Sequence, residues 1–307
     1  MNSFLHWWVV VISVGTFLGC WWLIVWSSKP QPGEAAQGEV TGHVWDGDLQ
    51  EYNNPLPRWW LWLFYITIAF GFVYMALYPT LGNWQGLLGW SEVRQYEEEI
   101  KKAEETYGPI FARYAATPIP DLIRDPEAMG AGQRLFLTYC AQCHGSDGRG
   151  APGFPNLADT DWLYGGDPDT VKATILDGRT GNMPSMAAAL GGDEGVDQVV
   201  NYVLSLSGAP HDAAKAEAGK AKFAAVCAGC HGMDGRGSAL NGLGPIGAPN
   251  LTDDIWLYGG SAGVIRQTIE KGRSGQMPAW REFLGEDKAH LLAAYVLGLS
   301  AGTEGGR

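Results

Sequence analysis

Two long apolar runs occupy most of the first 80 residues, and the rest of the chain follows helical patterns broken by Gly- and Pro-rich loops. Neither residues 4–26 nor residues 59–78 contain Asp, Glu, Lys or Arg. At a rise of about 1.5 Å per residue, a helix of either length crosses a hydrocarbon core of about 30 Å. Tryptophans gather toward the ends of both runs, as in the aromatic belts of membrane interfaces. The pattern predicts two transmembrane helices rather than buried core helices, which seldom extend this far without a charge.

The first run is predicted to be an anchor rather than a cleaved signal peptide. No positive segment precedes it, its apolar core is too long, and no A-x-A site follows it. Lys29 and Arg58 flank the loop between the two runs, whereas no cation precedes the first run. The positive-inside rule therefore places the loop 27–58 in the cytoplasm and both termini outside. Residues 1–80 form the predicted membrane anchor.

Residues 81–120 are predicted to connect this anchor to the rest of the chain. Residues 91–106 are charged nearly all round, with glutamates and lysines at helical spacing, which predicts a solvated amphipathic helix. The Thr-Pro-Ile-Pro stretch at 117–120 breaks the pattern and indicates a linker.

Two pentapeptides carry the chemistry of the second half of the chain. Residues 140–144 and 227–231 both fit C-x-x-C-H, the attachment signature of c-type haem. Two thiols at this spacing can add to the two vinyl groups along one haem edge, and the next residue then places an imidazole under the iron. Zinc ribbons and a disulfide are the alternatives, but zinc C-x-x-C pairs usually lie about 15–20 residues apart, far closer than these motifs. We therefore predict two covalently bound haem c groups, one on Cys140 and Cys143 with His144 as axial ligand, the other on Cys227 and Cys230 with His231.

The repeat extends well beyond the cysteines. A Trp-Leu-Tyr-Gly-Gly stretch at 162–166 recurs at 256–260, and the Gly-Arg pair at 178–179 recurs at 272–273. Residues 121–209 and 210–307 are therefore predicted to be two homologous domains, the second with an insertion around 238–247. Each reads as helix, haem-binding turn, loop, short helix, methionine loop and closing helix, so the predicted fold class is all-α.

These domains resemble class I cytochromes c. In that fold the first and last helices of a domain cross near a glycine and an aromatic residue. The resemblance implies that Gly132 and Phe136 meet Tyr202 in the first domain. In the second domain, Gly219 and Phe223 would meet Tyr295.

The same repeat selects a sixth ligand for each iron. Met183 and Met277 occupy equivalent positions, and each precedes a proline, which favours an extended strap. Methionine–histidine ligation raises the reduction potential and is usual for electron transfer. We predict Met183 as the ligand of the first haem and Met277 as the ligand of the second. Met186 has a tryptophan at its equivalent position, and Met233 lies too close to its histidine to reach the opposite haem face.

The charge and the cysteine content exclude two further classes of protein. Lys and Arg number 21 against 33 Asp and Glu, a formal net charge of −12, which excludes a nucleic-acid binder that works through a basic surface. Five cysteines are too few for a disulfide scaffold of this length. Arg179 and Arg273 precede the methionine loops and could either pair with haem propionates or lie in solvent.

Two apolar runs followed by tandem C-x-x-C-H domains resemble the dihaem subunit III (CcoP/FixP) of cbb3-type cytochrome c oxidases. The stretch 41–60, TGHVWDGDLQEYNNPLPRWW, is the specific part of this resemblance. It implies a non-catalytic electron-transfer subunit of a proton-translocating oxidoreductase complex in a bacterial inner membrane, with the haem domains in the periplasm. It also implies that electrons pass from a donor cytochrome c, or a cytochrome bc complex, through a monohaem cytochrome c subunit to the catalytic haem–copper subunit.

Two other classes of protein fit parts of the pattern. A free-standing, membrane-tethered dihaem shuttle would need one anchor and no structured loop, so residues 41–58 argue against it. A dihaem peroxidase needs an iron whose sixth position can open, whereas both repeats carry the same Met-Pro strap.

Overall fold

The computed structural model describes residues 1–244 and 246–304 and divides into two compact units, Met1–Glu105 and Thr106–Arg307. Pro245, within the predicted insertion, and residues 305–307 of the predicted second domain lie outside the described residues.

The first unit begins with the two apolar helices. They are α1, Ser3–Ser27, and α2, Arg58–Leu77, and each matches its predicted run within one residue at either end. Both are long and apolar enough to cross a membrane. They contact each other where the Phe17 ring lies 5.3 Å from the Phe72 ring, and the Phe17 ring covers Gly71, where a side chain would clash with it. Most of their remaining side chains are exposed, as lipid-facing residues would be.

A β-hairpin lies in the loop between these helices. Its strands are β1, Val40–Trp45, and β2, Leu49–Tyr52, paired antiparallel with Trp45 opposite Leu49. Asp46 and Gly47 have φ values of 51° and 90°, the left-handed conformation that tight hairpin turns need. The all-α prediction is therefore wrong for this loop, because β-branched and aromatic residues flank an Asp-Gly turn.

The remaining elements are helices and one further pair of strands. They are, in chain order, α3 (Glu92–Ala115), α4 (Ile119–Leu122), α5 (Pro126–Tyr139), α6 (Ala141–His144), α7 (Pro168–Asp177), β3 (Arg179–Met183), α8 (Asp193–Leu206), α9 (Ala213–Val226), α10 (Ala228–His231), α11 (Gly237–Leu240), α12 (Ala262–Lys271), β4 (Arg273–Met277) and α13 (Arg281–Glu304). The last helix is interrupted at Gly285, whose φ is 71°.

Equivalent capping residues start equivalent helices in the two repeats. Asp125 accepts hydrogen bonds from the first backbone N–H groups of α5, and Asp212 does the same for α9. Asp167 caps α7, and Ser261 caps α12. Each cap satisfies N–H groups that have no partner within the helix, so the local sequence determines where these helices begin.

The predicted linker at 117–120 is part of a hydrophobic core instead. Ile119 and Leu122 of α4 are only 4% and 1% exposed, and they belong to the same buried cluster as Phe136 of α5. Pro118 is the N-cap residue of α4 and Pro120 lies in its first turn, so the two prolines mark the start of a helix rather than a flexible connection.

The closing helices of the two repeats are exchanged. Helix α13, from the end of the second repeat, packs against α5 and α7 of the first. Helix α8, from the end of the first repeat, packs against α9 and α12 of the second. The predicted crossing of first and last helices within one repeat is therefore wrong.

Aromatic contacts at the helix crossings show the same exchange. The Phe136 ring lies 5.3 Å from Tyr295, and the Phe223 ring lies 5.1 Å from Tyr202. Glycines allow the helices to approach closely at the same crossings. A Cβ on Gly132 would lie 2.8 Å from the Tyr295 Cβ, and one on Gly219 would lie 2.2 Å from a backbone oxygen of α8. The residue types at the crossings are those expected, but each crossing joins the two repeats.

Strands β3 and β4 carry the chain between the two helical clusters. They pair antiparallel over five residues, with Arg179 opposite Met277 and Met183 opposite Arg273. Gly178 and Gly272 precede them with φ values of 69° and 74°, and a Cβ at either position would lie within 2.4 Å of a backbone carbonyl oxygen. These strands are a second departure from the all-α prediction.

A double-mutant cycle tests the exchanged helix packing. For Phe136→Leu and Tyr295→Leu we expect a coupling energy of about 0.5–1.5 kcal/mol, because the two rings are in contact. The matched cycle of Phe136→Leu with Tyr202→Leu should be additive, since these residues belong to different clusters. The measurement is the free energy of unfolding of the haem-loaded protein. Coupling to Tyr202 in place of Tyr295 would contradict the exchange.

Candidate haem sites

Each C-x-x-C-H motif forms the same turn at the end of a helix. Cys140 ends α5 and also precedes α6, whose last residue is His144. Gly145 follows with a φ of 78°, a conformation that only glycine adopts readily. The second motif repeats the arrangement at the end of α9, where Gly232 has a φ of 79°. The turn therefore folds in the same way in both repeats.

Both motif histidines are held in one tautomer. His144 Nδ1 lies 3.0 Å from the carbonyl oxygen of Pro155, and His231 Nδ1 lies 3.1 Å from that of Pro249. A carbonyl can only accept, so Nδ1 carries the proton and Nε2 keeps its lone pair. Burial lowers the pKa of His231, which also favours the neutral ring. A neutral imidazole with a free Nε2 is the form that binds iron.

The two thiols of each motif lie in different environments. Cys140 and Cys227 pack against the hydrophobic clusters, whereas Cys143 and Cys230 are exposed. Burial, and secondarily the neighbouring thiol, raises the pKa of both Cys140 and Cys227 to about 11. In each motif, one thiol packs against apolar residues and the other is exposed. This pair of positions is compatible with bonds to the two vinyl groups that lie along one side of a haem. The donor set therefore fits a covalently attached haem.

Each strap methionine packs against the hydrophobic cluster that the other repeat begins. Met277 packs against the cluster that contains Cys140 and Trp162. Met183 packs against the cluster that contains Cys227 and Trp256. The prediction pairs Met183 with the first motif and Met277 with the second. The structure gives each methionine the opposite surroundings, because β3 and β4 carry the straps across.

The arginines before the straps stack on tyrosines. The Arg179 guanidinium lies 4.9 Å from the Tyr164 ring centre, and its Nε donates to Thr174 Oγ1 at 2.9 Å. Arg273, Tyr258 and Thr268 repeat the arrangement in the other repeat, with a ring distance of 4.3 Å. Both side chains are therefore positioned by protein contacts rather than simply solvated.

The other candidate residues take structural roles. Met233 is 71% exposed, and Met186 packs in the second cluster. His290 is half-buried, and its Nε2 lies 2.9 Å from the Thr117 carbonyl oxygen. His6 Nδ1 accepts from the Asn83 backbone N–H at 3.0 Å, which joins the start of α1 to the segment after α2.

Sequence reasoning missed a group of carboxylates that the fold brings together from both repeats. Asp159 and Asp161 of the first repeat lie near Asp253 of the second. Asp159 accepts from the backbone N–H of Asp161, and Asp253 accepts from that of Ile255. Burial, and then repulsion from Asp253 and Asp159, raises the pKa of Asp161 to about 6. Asp159 and Asp253 are equivalent positions of the repeat, and this equivalence is the one sequence signal that could have found the group. Among the residues that the structure describes, no group of three or more His, Cys, Asp or Glu is arranged to hold a metal ion.

Two attachment turns, each with a histidine in the iron-binding tautomer and a methionine in the same cluster, define the chain as a c-type cytochrome. Residues 127–203 and 214–296 match the family model described as cytochrome c oxidase, cbb3-type, subunit III. Residues 37–85 match the model described as the N-terminal domain of cytochrome oxidase-cbb3, FixP. The chain belongs to the family of subunit III of cbb3-type cytochrome c oxidases.

Curated relatives cover nearly the whole chain. The cbb3-type cytochrome c oxidase subunit CcoP of Rubrivivax gelatinosus is 48% identical over 299 residues, which span 97% of this chain and 96% of the relative. Subunit CcoP of Cereibacter sphaeroides is 40% identical over 90% of this chain and 99% of its own length. Subunit FixP of Azorhizobium caulinodans is 42% identical over 90% and 98%. The predicted family and the predicted role as a cytochrome oxidase subunit are confirmed, and a free-standing shuttle is not favoured.

The raised pKa of Asp161 predicts how stability depends on pH. Its value of about 6 exceeds the ordinary 3.8, so the folded chain binds this proton more tightly than the unfolded chain. Stability from this group is complete below pH 3.8 and is lost as pH rises through about 6. The loss is about 1 kcal/mol after allowance for solvent screening at this half-buried site.

Asp161→Asn should remove this loss and raise stability at neutral pH. The measurement is the unfolding free energy of the haem-loaded protein as a function of pH. Asp169→Asn, at an exposed position on α7, is the matched control and should leave the slope unchanged. An unaltered slope in Asp161→Asn would contradict the assignment.

Proposed function

We propose that this chain is the two-haem electron-transfer subunit of a cbb3-type cytochrome c oxidase. One haem is bound covalently at Cys140 and Cys143, and the other at Cys227 and Cys230. The observation that carries the proposal is the pair of identical attachment turns, both with the histidine Nδ1 bonded to a proline carbonyl.

The protein's residues set the properties of each site. Haem supplies a one-electron carrier when bound. His144 and His231 present Nε2 in a fixed orientation, and a methionine sulfur from a strap supplies the sixth ligand, which favours the reduced iron. Apolar residues around Cys140 and Cys227 exclude water, which also raises the potential. A haem held by a histidine and a methionine of this chain would carry electrons and would offer no free ligand position for peroxide.

Membrane association follows from α1 and α2, and we propose that both helices span a bacterial inner membrane. The flanking cations Lys29 and Arg58 support a cytoplasmic hairpin loop, and this orientation supports a periplasmic position for both haem sites. The proposed partners are the catalytic haem–copper subunit, the monohaem cytochrome c subunit and a donor cytochrome c or cytochrome bc complex. The subunit itself is non-catalytic.

The hairpin supports contact with another oxidase subunit. Trp45, Leu49 and Tyr52 are 52%, 63% and 65% exposed, an unusual density of apolar surface on two short strands. The hairpin lies within the segment that matches the FixP N-terminal family model. We propose that it packs on the catalytic haem–copper subunit.

The number of covalent haems is tested by mass. The denatured chain should carry two haem masses, and Cys227→Ala combined with Cys230→Ala should leave one. The matched variant Cys20→Ala, which alters the remaining cysteine, should keep both. A mature chain without covalent haem would contradict the proposal, because thioether bonds survive denaturation.

Assembly is tested by substituting the hairpin. Leu49→Ser with Tyr52→Ser should lower the haem b and copper that co-purify per haem c in mild detergent, while covalent haem per chain stays unchanged. Val93→Ser is the control, since Val93 is 65% exposed on α3 and lies outside the matched segment. Full co-purification of the double variant would show that the hairpin is not the contact.

A further inference from the structure

We propose that residues 79–90, which follow α2, form a turn that lies in the membrane interface. Four side chains of this turn, Trp84, Leu87, Leu88 and Trp90, contact the lipid of the outer leaflet and are called the apolar patch. This placement rests on the proposed function, because it requires α2 to span the membrane. It gives a lipid occupant to a surface that packing within the chain leaves exposed.

The chain stays uncharged well beyond the end of α2. Residues 59–91 contain no Asp, Glu, Lys or Arg, although α2 ends at Leu77. Charged residues begin at Glu92, the first residue of α3, and are frequent along that helix. A solvated loop of this length usually carries charges, whereas an interfacial segment of uncharged and aromatic residues does not. The composition therefore places the boundary of the membrane anchor at the start of α3.

The turn folds back on the last carbonyl groups of α2. The Leu87 backbone N–H donates to the Ala76 carbonyl oxygen at 2.9 Å, and the Trp84 indole N–H donates to the same oxygen at 3.3 Å. The Leu88 N–H donates to the carbonyl oxygen of Leu77 at 3.0 Å. Carbonyls at a helix end have no partner within the helix, and in solution water satisfies them. A helix that ends at the edge of a hydrocarbon core needs partners from the protein instead, and the turn supplies them.

Glycine and asparagine hold the turn in place. Gly86 has a φ of 71°, and a Cβ there would lie 2.4 Å from the Leu77 carbonyl oxygen, so a side chain would prevent this close approach. The Asn83 backbone N–H donates to His6 Nδ1 at 3.0 Å, and its side-chain amide donates to the Met1 carbonyl oxygen at 3.2 Å. The turn is thereby joined to the start of α1 as well as to the end of α2.

The apolar patch offers no hydrogen-bonding side-chain group to water. Trp84, Leu87, Leu88 and Trp90 are 44%, 70%, 55% and 38% exposed. An indole has a single polar group, its N–H, and both indoles donate within the chain, since that of Trp90 bonds Gln95 Oε1 at 3.0 Å. What remains exposed is hydrocarbon and ring surface. Its removal from water is favourable, and lipid is the medium that the adjoining helices already face.

Aromatic residues of both helices continue the patch. Trp7 and Trp8, near the start of α1, are 62% and 57% exposed, and the contact of Asn83 with α1 joins this end to the turn. The Tyr78 ring, at the end of α2, lies 5.7 Å from that of Trp90. Exposed aromatic residues on two helices and a turn form the kind of belt found at a membrane–water interface. This continuity favours lipid over a single protein partner as the occupant.

Thiol labelling in membranes tests whether the patch is shielded from water. In a Cys20→Ala background, Leu87→Cys should react with a water-soluble maleimide about tenfold more slowly than Ile100→Cys, because the reactive thiolate is disfavoured in an apolar medium. Leu87 is 70% exposed and Ile100, on the charged helix α3, is 52% exposed, so shielding within the chain predicts the opposite order. Phe70→Cys, at a 66% exposed position of α2, is the reference for a spanning residue and should also be protected. Denaturing detergent should make the three rates equal.

The Phe70→Cys reference separates this proposal from the proposed function. Equal rates for Leu87→Cys and Ile100→Cys, with Phe70→Cys protected, would overturn the interfacial turn and leave the span of α2 intact. Rapid labelling of Phe70→Cys would contradict the span itself and, with it, this proposal.

Photochemical cross-linking identifies what covers the patch. In native membranes, Leu87→Cys carrying a membrane-permeant benzophenone maleimide should yield a phospholipid adduct, detected by the mass of the peptide after photolysis. The matched variant Leu49→Cys, on the hairpin proposed to contact the haem–copper subunit, should yield a polypeptide adduct and shows that the probe detects protein contacts. A polypeptide adduct at Leu87→Cys, or no lipid adduct there, would overturn the proposal.

Discussion

The antiparallel pairing of β3 with β4 is the constraint on which the haem-bearing part of the chain depends. Five residues from each strap satisfy one another's backbone groups, and the strands leave the pair in opposite directions. Each strand therefore delivers its methionine and its closing helix to the cluster that the other repeat begins. Gly178 and Gly272 make this possible, because a side chain at either position would meet the opposite strap.

This arrangement ties two sites into one folding unit. The core around Phe136 contains residues from α13, and the core around Phe223 contains residues from α8, so neither core closes from one repeat alone. Loss of packing in one repeat is expected to disturb the candidate haem site of the other. For a subunit that passes electrons between two carriers, the exchange also limits separation of the two sites, since they cannot part without unfolding both cores.

The N-terminal unit is not stabilised by a buried core of its own. Its two helices bury almost nothing within the chain, and its hairpin exposes aromatic and aliphatic side chains to the surroundings. Such surfaces are stable where lipid or other subunits replace water. The Phe17–Phe72 contact joins the two helices, and the His6–Asn83 hydrogen bond joins α1 to the segment after α2.

Many features of the protein follow from local sequence. The absence of charge over 20 residues determines α1 and α2, and the C-x-x-C-H spacing determines the attachment turns. Aspartate and serine caps determine where α5, α7, α9 and α12 begin, because each capping contact spans only a few residues. The hairpin in the predicted loop also has a local cause, because β-branched and aromatic residues flank its Asp-Gly turn.

The exchange of closing helices was beyond sequence reasoning for a definite reason. Gly132 and Gly219, Phe136 and Phe223, and Tyr202 and Tyr295 are equivalent pairs, so packing within a repeat and packing between repeats present the same side chains at each crossing. Local chemistry cannot distinguish two arrangements that bury the same surfaces, as in domain swapping generally. The sequence by itself determined the membrane helices, the attachment turns and the identity of both strap methionines. Only the tertiary structure decided which hydrophobic cluster each methionine packs against, because that depends on the pairing of strands 94 residues apart in the chain.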